Sequence, residues 1–135
     1  MAIRTFNPQN HPWLVQFEVL GEPASKANSR RLVAMGGKPR FIKSKKALSY
    51  VQAFAYQCPQ LDHPLTEDLL VAMEIHYASR RPDLDESVIL DAMEGKVYKN
   101  DRQVREKHVY WALDKYDPRV EIRIAAMDPD LNIFA

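Results

Sequence analysis

Asp83 and Asp85 stand two residues apart in the run Arg81-Pro82-Asp83-Leu84-Asp85, directly after an apolar stretch, and further acids follow at Glu86, Asp91, Glu94 and Asp101. At the end of a strand, residues i and i+2 project from one face, about 6.5 Å apart along the chain. Two carboxylates so placed suit a hard divalent cation such as Mg²⁺, which takes oxygen ligands and keeps waters in its remaining positions. The competing reading is helix capping, because Asp85 precedes a helix-periodic stretch and Asp is a preferred cap residue. The D-x-D spacing is weakly specific: it recurs in the tail at Asp128 and Asp130, where it reads as solvated turn chemistry. Spacing by itself leaves both readings of Asp83 and Asp85 open.

A second charged feature lies upstream. Residues 26–46 hold Lys26, Arg30, Arg31, Lys38, Arg40, Lys43, Lys45 and Lys46 and no acid. The chain of 135 residues has 19 Lys and Arg against 18 Asp and Glu, a net charge of +1, so outside this segment 11 cations face 18 acids, a net of −7. The total excludes a uniformly basic binder, and only the distribution points to a partner. Charged runs usually face water, which makes a solvated loop the plain reading. Eight unpaired cations also repel one another unless anions approach, and a phosphate backbone is such an anion.

Other chemistries find little support. The four glycines, Gly21, Gly36, Gly37 and Gly95, form neither a G-x-G-x-x-G nor a P-loop arrangement, so no nucleotide cofactor is expected. Cys58 is the single cysteine; it excludes an intrachain disulfide and a cysteine zinc cluster, and in an apolar periodic stretch it reads as a buried thiol. His11, His63, His76 and His108 have no H-x-x-x-H or H-x-E spacing and read as surface or packing residues. Ser25, Ser29 and Ser44 read as loop and cap residues, since nothing marks a base for them. With no apolar run of about 20 residues and no secretory h-region at the start, a soluble, cytoplasmic protein is expected.

The elements that must position these residues follow from periodicity. Residues 14–20 alternate Val15, Phe17 and Val19 with Gln16 and Glu18, a half-buried strand. Residues 23–43 are polar and read as a long loop with a hairpin turn at Gly36-Gly37. Ser44 caps a helix whose apolar face is Ala47, Leu48, Val51, Phe54, Ala55 and Cys58, and Pro59 stops it. Residues 69–77 form a second strand, placed centrally, and residues 86–94 a short helix closed by Gly95. Residues 104–113 and 119–127 alternate again, and the turn 114–118 between them suggests an antiparallel hairpin. The order β-α-β-α-β-β predicts one α/β domain over residues 1–135, with a core from about 13 to 127 and a mixed sheet carrying two helices.

Several of these segments together resemble the RusA family of Holliday-junction resolvases. The carriers are Arg81-Pro82-Asp83-Leu84-Asp85, Asp91-Ala92-Met93-Glu94-Gly95, and Val97-Tyr98-Lys99-Asn100-Asp101-Arg102-Gln103-Val104. Upstream, Gly21-Glu22-Pro23-Ala24-Ser25-Lys26 is similar to the family's first-strand exit, and Pro118-Arg119-Val120-Glu121-Ile122 to its last strand. The elements come in the family's order from about residue 15 to 127.

The resemblance implies a small homodimeric α/β endonuclease that cuts branched, four-way DNA in recombination and repair. By motif position its catalytic and metal-binding acids are Asp83, Asp85 and Asp101, with Mg²⁺ or Mn²⁺ as the cofactor. The phosphate-contacting cations are Lys26, Arg30, Arg31, Lys38, Arg40, Lys43, Lys45, Lys46 and Arg81. Members are often phage or prophage encoded. Three departures stand out. The family has Asn and Lys where this chain has Glu86 and Ile89, and Asn100 replaces the first acid of a D-D pair. The Asp85-to-Asp91 interval is also two residues shorter than the family's, a change that would rotate a helix by about 200° and therefore shortens its start. Lys26, Lys96 or Lys99 could supply the missing cation; the alternative is a catalytically weak or inactive relative that binds structured DNA without cutting it.

Overall fold

The structure is a computed structural model and describes residues 11–24, 30–128 and 130, at positions 30–35, 40, 41 and 43 through the backbone. Its elements run β1 (Val15–Leu20), β2 (Arg30–Met35), β3 (Lys38–Lys43), α1 (Lys45–Gln57), β4 (Leu69–Tyr77), α2 (Ser87–Met93), a 3-10 turn (Asp101–Gln103), β5 (Val104–Leu113) and β6 (Arg119–Ala126). Four strands form a mixed sheet in the order β1-β6-β4-β5, and β2 and β3 form a separate two-stranded ribbon. The α/β class and the order of elements are as the periodicity predicts. The polar stretch 23–43 is more regular than a loop: Met35 pairs with Lys38 across Gly36 and Gly37, whose φ values of +59° and +76° make the turn that favours glycine in a two-residue hairpin.

One expected pairing is wrong. β5 and β6 do not form a hairpin; β4 lies between them, parallel to β5 and antiparallel to β6. The reason is the composition of β4. Leu69, Leu70, Val71, Ala72, Met73, Ile75, His76 and Tyr77 are all buried, so this strand needs a neighbour on each side, while Arg105, Glu106 and Lys107 suit β5 to an edge. The connection 114–118 accordingly crosses the end of β4, where the Asp114 N–H donates to Tyr77 O at 2.8 Å.

Both helices cover one face of the sheet. There Val19, Leu69, Val71, Met73, Ile75, Tyr77, Val120, Ile122 and Ile124 meet Tyr50, Phe54, Val88, Ile89 and Met93 in a single core. Ser44 caps α1 as expected, its Oγ accepting from Ala47 N at 3.2 Å. The buried side of α1 is Ala47, Tyr50, Phe54 and Cys58; Leu48 and Ala55, assigned to it from spacing, are exposed. Phe54 stands edge-on to Phe17 at 6.1 Å and tilted against Tyr50 at 6.0 Å, joining helix to sheet.

Two outcomes test this packing. Phe54→Ala removes a fully buried ring and should lower unfolding free energy by about 3–5 kcal/mol in a denaturant titration. Burial pushes the Cys58 thiol up to about 11, so at pH 8 a disulfide-exchange reagent should label it slowly in the native protein and at once in denaturant.

Candidate active site

β4 ends at Tyr77, six residues before Asp83, so the two aspartates lie in the loop to α2 and not at a strand end. Their common anchor is Tyr77 itself. Its buried hydroxyl donates to Asp83 O at 3.1 Å and accepts from Asp85 N at 3.2 Å, bridging the backbone at both residues. Burial raises the Tyr77 pKa, which keeps that hydroxyl a donor. Trp111, from the neighbouring strand β5, stacks on the Tyr77 ring at 6.0 Å and donates its Nε1–H to Pro82 O at 3.4 Å. Two aromatic side chains on adjacent strands thus fasten residues 82–85 to the sheet.

The same loop gives the two carboxylates different surroundings. Asp83 is exposed, whereas Asp85 is only 8% exposed. Asp85 Oδ1 accepts from Ser87 N at 3.0 Å, and its buried Oδ2 has no hydrogen-bond partner. One oxygen of the side chain thus serves the start of α2, as the capping reading expects, and the other is left without a partner. A buried carboxylate oxygen without a partner is costly. Its lone pairs are what a hard divalent cation takes, so the residue fits the ion that the resemblance implies.

Asp101 opens the 3-10 turn that follows α2, whereas Asp85 precedes that helix, and the ligand oxygens of Asp83, Asp85 and Asp101 do not all come within 4.8 Å of one another. Asp101 is exposed, and its N–H donates to Glu94 Oε1 at 3.2 Å. A reciprocal cap holds the turn: Asn100 Oδ1 accepts from Arg102 N at 2.9 Å, and Gln103 Oε1 from Asn100 N at 2.8 Å. Gln103 Nε2 donates to Leu65 O and Glu67 O, tying the turn to the linker before β4. Asn100, which departs from the family pattern, thus serves as a cap. Tyr98 lies beneath these acids. Burial raises its pKa first, and the negative charges of Asp101, Glu94 and Asp91 add to that. Ile89, where the family pattern has lysine, is wholly buried.

Of the expected phosphate contacts, Lys26 lies outside the described residues. Arg30, Arg31, Arg40 and Lys43 are placed by backbone on the β2–β3 ribbon, with Arg30 directly opposite Lys43. Lys38 follows the Gly36-Gly37 turn, Lys45 and Lys46 begin α1, and Arg81 precedes Pro82; all four are exposed.

A group that spacing did not single out lies on the other face of the sheet. Glu74 and His76 on β4 and Glu121 on β6 bring three ligand atoms within 4.8 Å of one another. His76 Nε2 is 2.8 Å from Glu74 Oε1 and 3.0 Å from Glu121 Oε2. Such a set can hold a divalent ion. It also continues into an ion network: Arg119 lies 3.6 Å from Glu121 and 2.9 Å from Asp114, and its hydrogen bond holds the Asp114 carboxyl below the usual range. Glu74 and His76 share a strand face by i,i+2 spacing, but Glu121 joins them only through the β4–β6 register, which sequence alone does not disclose. Among the described residues, no helix is long and apolar enough to cross a membrane.

A family model, Endodeoxyribonuclease RusA, matches residues 21–125 of the chain. No curated protein matches it. The matched span contains the Asp83–Asp85 loop, the Asp101 turn and the basic ribbon.

The unpartnered oxygen of Asp85 leads to a thermal-unfolding test. In metal-free buffer Asp85→Asn keeps an oxygen for Ser87 N and loses a buried negative charge, so its midpoint should equal or exceed that of the parent. Adding Mg²⁺ or Mn²⁺ should raise the parent's midpoint, by about 2.7 kcal/mol of stability at about 100 times Kd, and leave Asp85→Asn unmoved. A shift that survives Asp85→Asn and vanishes in His76→Ala would place the ion at the Glu74–His76–Glu121 group instead.

Proposed function

The chain belongs to the RusA endodeoxyribonuclease family, and on that premise we propose that it is a divalent-metal-dependent nuclease that cuts four-way and other branched DNA in recombination and repair. The observation that carries this reading furthest is the buried Asp85 carboxylate, anchored through Tyr77 and Trp111 and left with one oxygen free. Asp83, Asp85 and Asp101 are the residues that would hold Mg²⁺ or Mn²⁺. When bound, the ion would supply an activated water and neutralise charge on the phosphate oxygens.

The chain's own residues divide the remaining work. Tyr77 and Trp111 hold the backbone of residues 82–85 against the sheet, so the carboxylates keep their placement as DNA arrives. The exposed cations Lys38, Lys45, Lys46 and Arg81, with those along the β2–β3 ribbon, would neutralise backbone phosphates and orient the duplex arms without reading bases. A homodimer would present two such sites, related by a two-fold axis, to a junction of near two-fold symmetry.

A second reading has observations of its own. Ile89 is packed in the core where the family pattern has lysine, and Asn100 caps a turn where that pattern has an acid. These favour a weak or inactive relative that binds structured DNA without cutting it.

A synthetic four-way junction separates the two. With Mg²⁺ the protein should nick the junction and leave a linear duplex of the same sequence intact. Asp83→Asn should abolish nicking while junction binding persists, since a metal carboxylate is lost and the phosphate contacts remain. Nicking by Asp83→Asn at the parent's rate would overturn the metal assignment. Junction binding without nicking in either Mg²⁺ or Mn²⁺ would favour the second reading.

A further inference from the structure

Glu86 follows Asp85 and occupies the position just before α2, yet its side chain makes no capping bond there. Its Oε1 instead lies 2.8 Å from Lys107 Nζ. Among the described residues, Lys107 is the only lysine within ion-pair distance of a carboxylate. It stands on β5 opposite Val71, which puts it on the helix-covered face of the sheet, and Val109 and Trp111 follow on that face opposite Met73 and Ile75. β5 begins directly after the Asp101 turn, and its Trp111 holds Pro82 of the aspartate loop. Lys107 therefore sits on the strand that runs from the Asp101 turn to Trp111, on the helix-covered face, and is paired with the residue that follows Asp85.

Its surroundings make a purely structural role weak. The two side chains are 47% and 22% exposed, and pairs in that range contribute little to stability. An apolar residue would continue the Val109–Trp111 packing equally well. An ammonium held beside a carboxylate on a sheet strand has a clearer use in phosphate chemistry, where a fixed cation stabilises charge on the phosphate oxygens as the bond breaks. Lys96 and Lys99 are placed differently: Lys96 lies near Cys58, and Lys99 is exposed in the segment leading to the 3-10 turn.

We propose that Lys107 is the cation that contacts a non-bridging oxygen of the phosphate being cut, and that Glu86 aims it there while no DNA is bound. The inference rests on the nuclease reading above. Lys107 is then a catalytic residue of this chain, and Glu86 a positioning one.

The test compares the parent, Lys107→Met, Lys107→Arg and Asp85→Asn on a four-way junction. Binding is measured in Ca²⁺, and single-turnover nicking at saturating protein in Mg²⁺. Lys107→Met should bind within about threefold of the parent and cut about 100-fold more slowly, the size of effect that loss of one charge-stabilising donor has on a reaction rate. Lys107→Arg should recover much of that loss, and circular dichroism should show both variants folded. If Lys107→Met cuts within about threefold of the parent, or if its slower cutting follows an equal loss of binding, the inference fails and the nuclease reading stands. If Lys107→Met does not fold, Lys107→Gln takes its place with the same criteria. If the parent itself does not cut, and so is indistinguishable from Asp85→Asn, the nuclease reading falls and takes this role with it.

Discussion

A single phenol joins the fold to the chemistry. Tyr77 is the last residue of the central strand, its ring is buried in the core, and its hydroxyl donates to Asp83 O and accepts from Asp85 N. A hydroxyl can donate once while it accepts, and here both capacities are spent on one loop. That is why a connection of nine residues between β4 and α2 can deliver one carboxylate to solvent and bury the next but one. Trp111 reinforces the arrangement from β5 by stacking on the ring and bonding Pro82 O. The loop's geometry thus depends on β4 and β5 being neighbours.

That adjacency follows from how apolar β4 is. A strand buried on both faces takes the middle of the sheet, and the β4–α2–β5 crossover then places β5 beside it in parallel. Two consequences reach the site. The Asp101 turn, which directly precedes β5, meets the end of α2 at Glu94, and Lys107 comes within reach of Glu86. On the reverse face the same centrality pairs β4 with β6, and Glu74, His76 and Glu121 meet between them.

Near-neutral net charge has a spatial meaning in this molecule. The basic ribbon and the start of α1 carry cations without acids, while the acids concentrate around α2 and on the reverse face of the sheet. Summed charge conceals this separation of the two signs.

Much of this was legible in the residues alone. Period-two alternation marks β1, β5 and β6, Ser44 and Pro59 bound α1, and two glycines in succession mark the ribbon's turn, because each signal is carried within a few positions of the chain. The ordered motifs around Asp83, Asp85 and Asp101 carry the family in the same local way. Strand order was not legible: the short 114–118 turn suggests a hairpin, and only competition for the centre of the sheet places β4 between its partners. Nor does D-x-D spacing show that Asp83 faces water while Asp85 is buried with one oxygen unpartnered. Those outcomes, the Lys107–Glu86 pair and the meeting of Glu74, His76 and Glu121 depend on contacts between residues distant in the chain. Local pattern sets which faces are apolar; register and burial, settled only when the whole sheet packs, decide which polar groups meet.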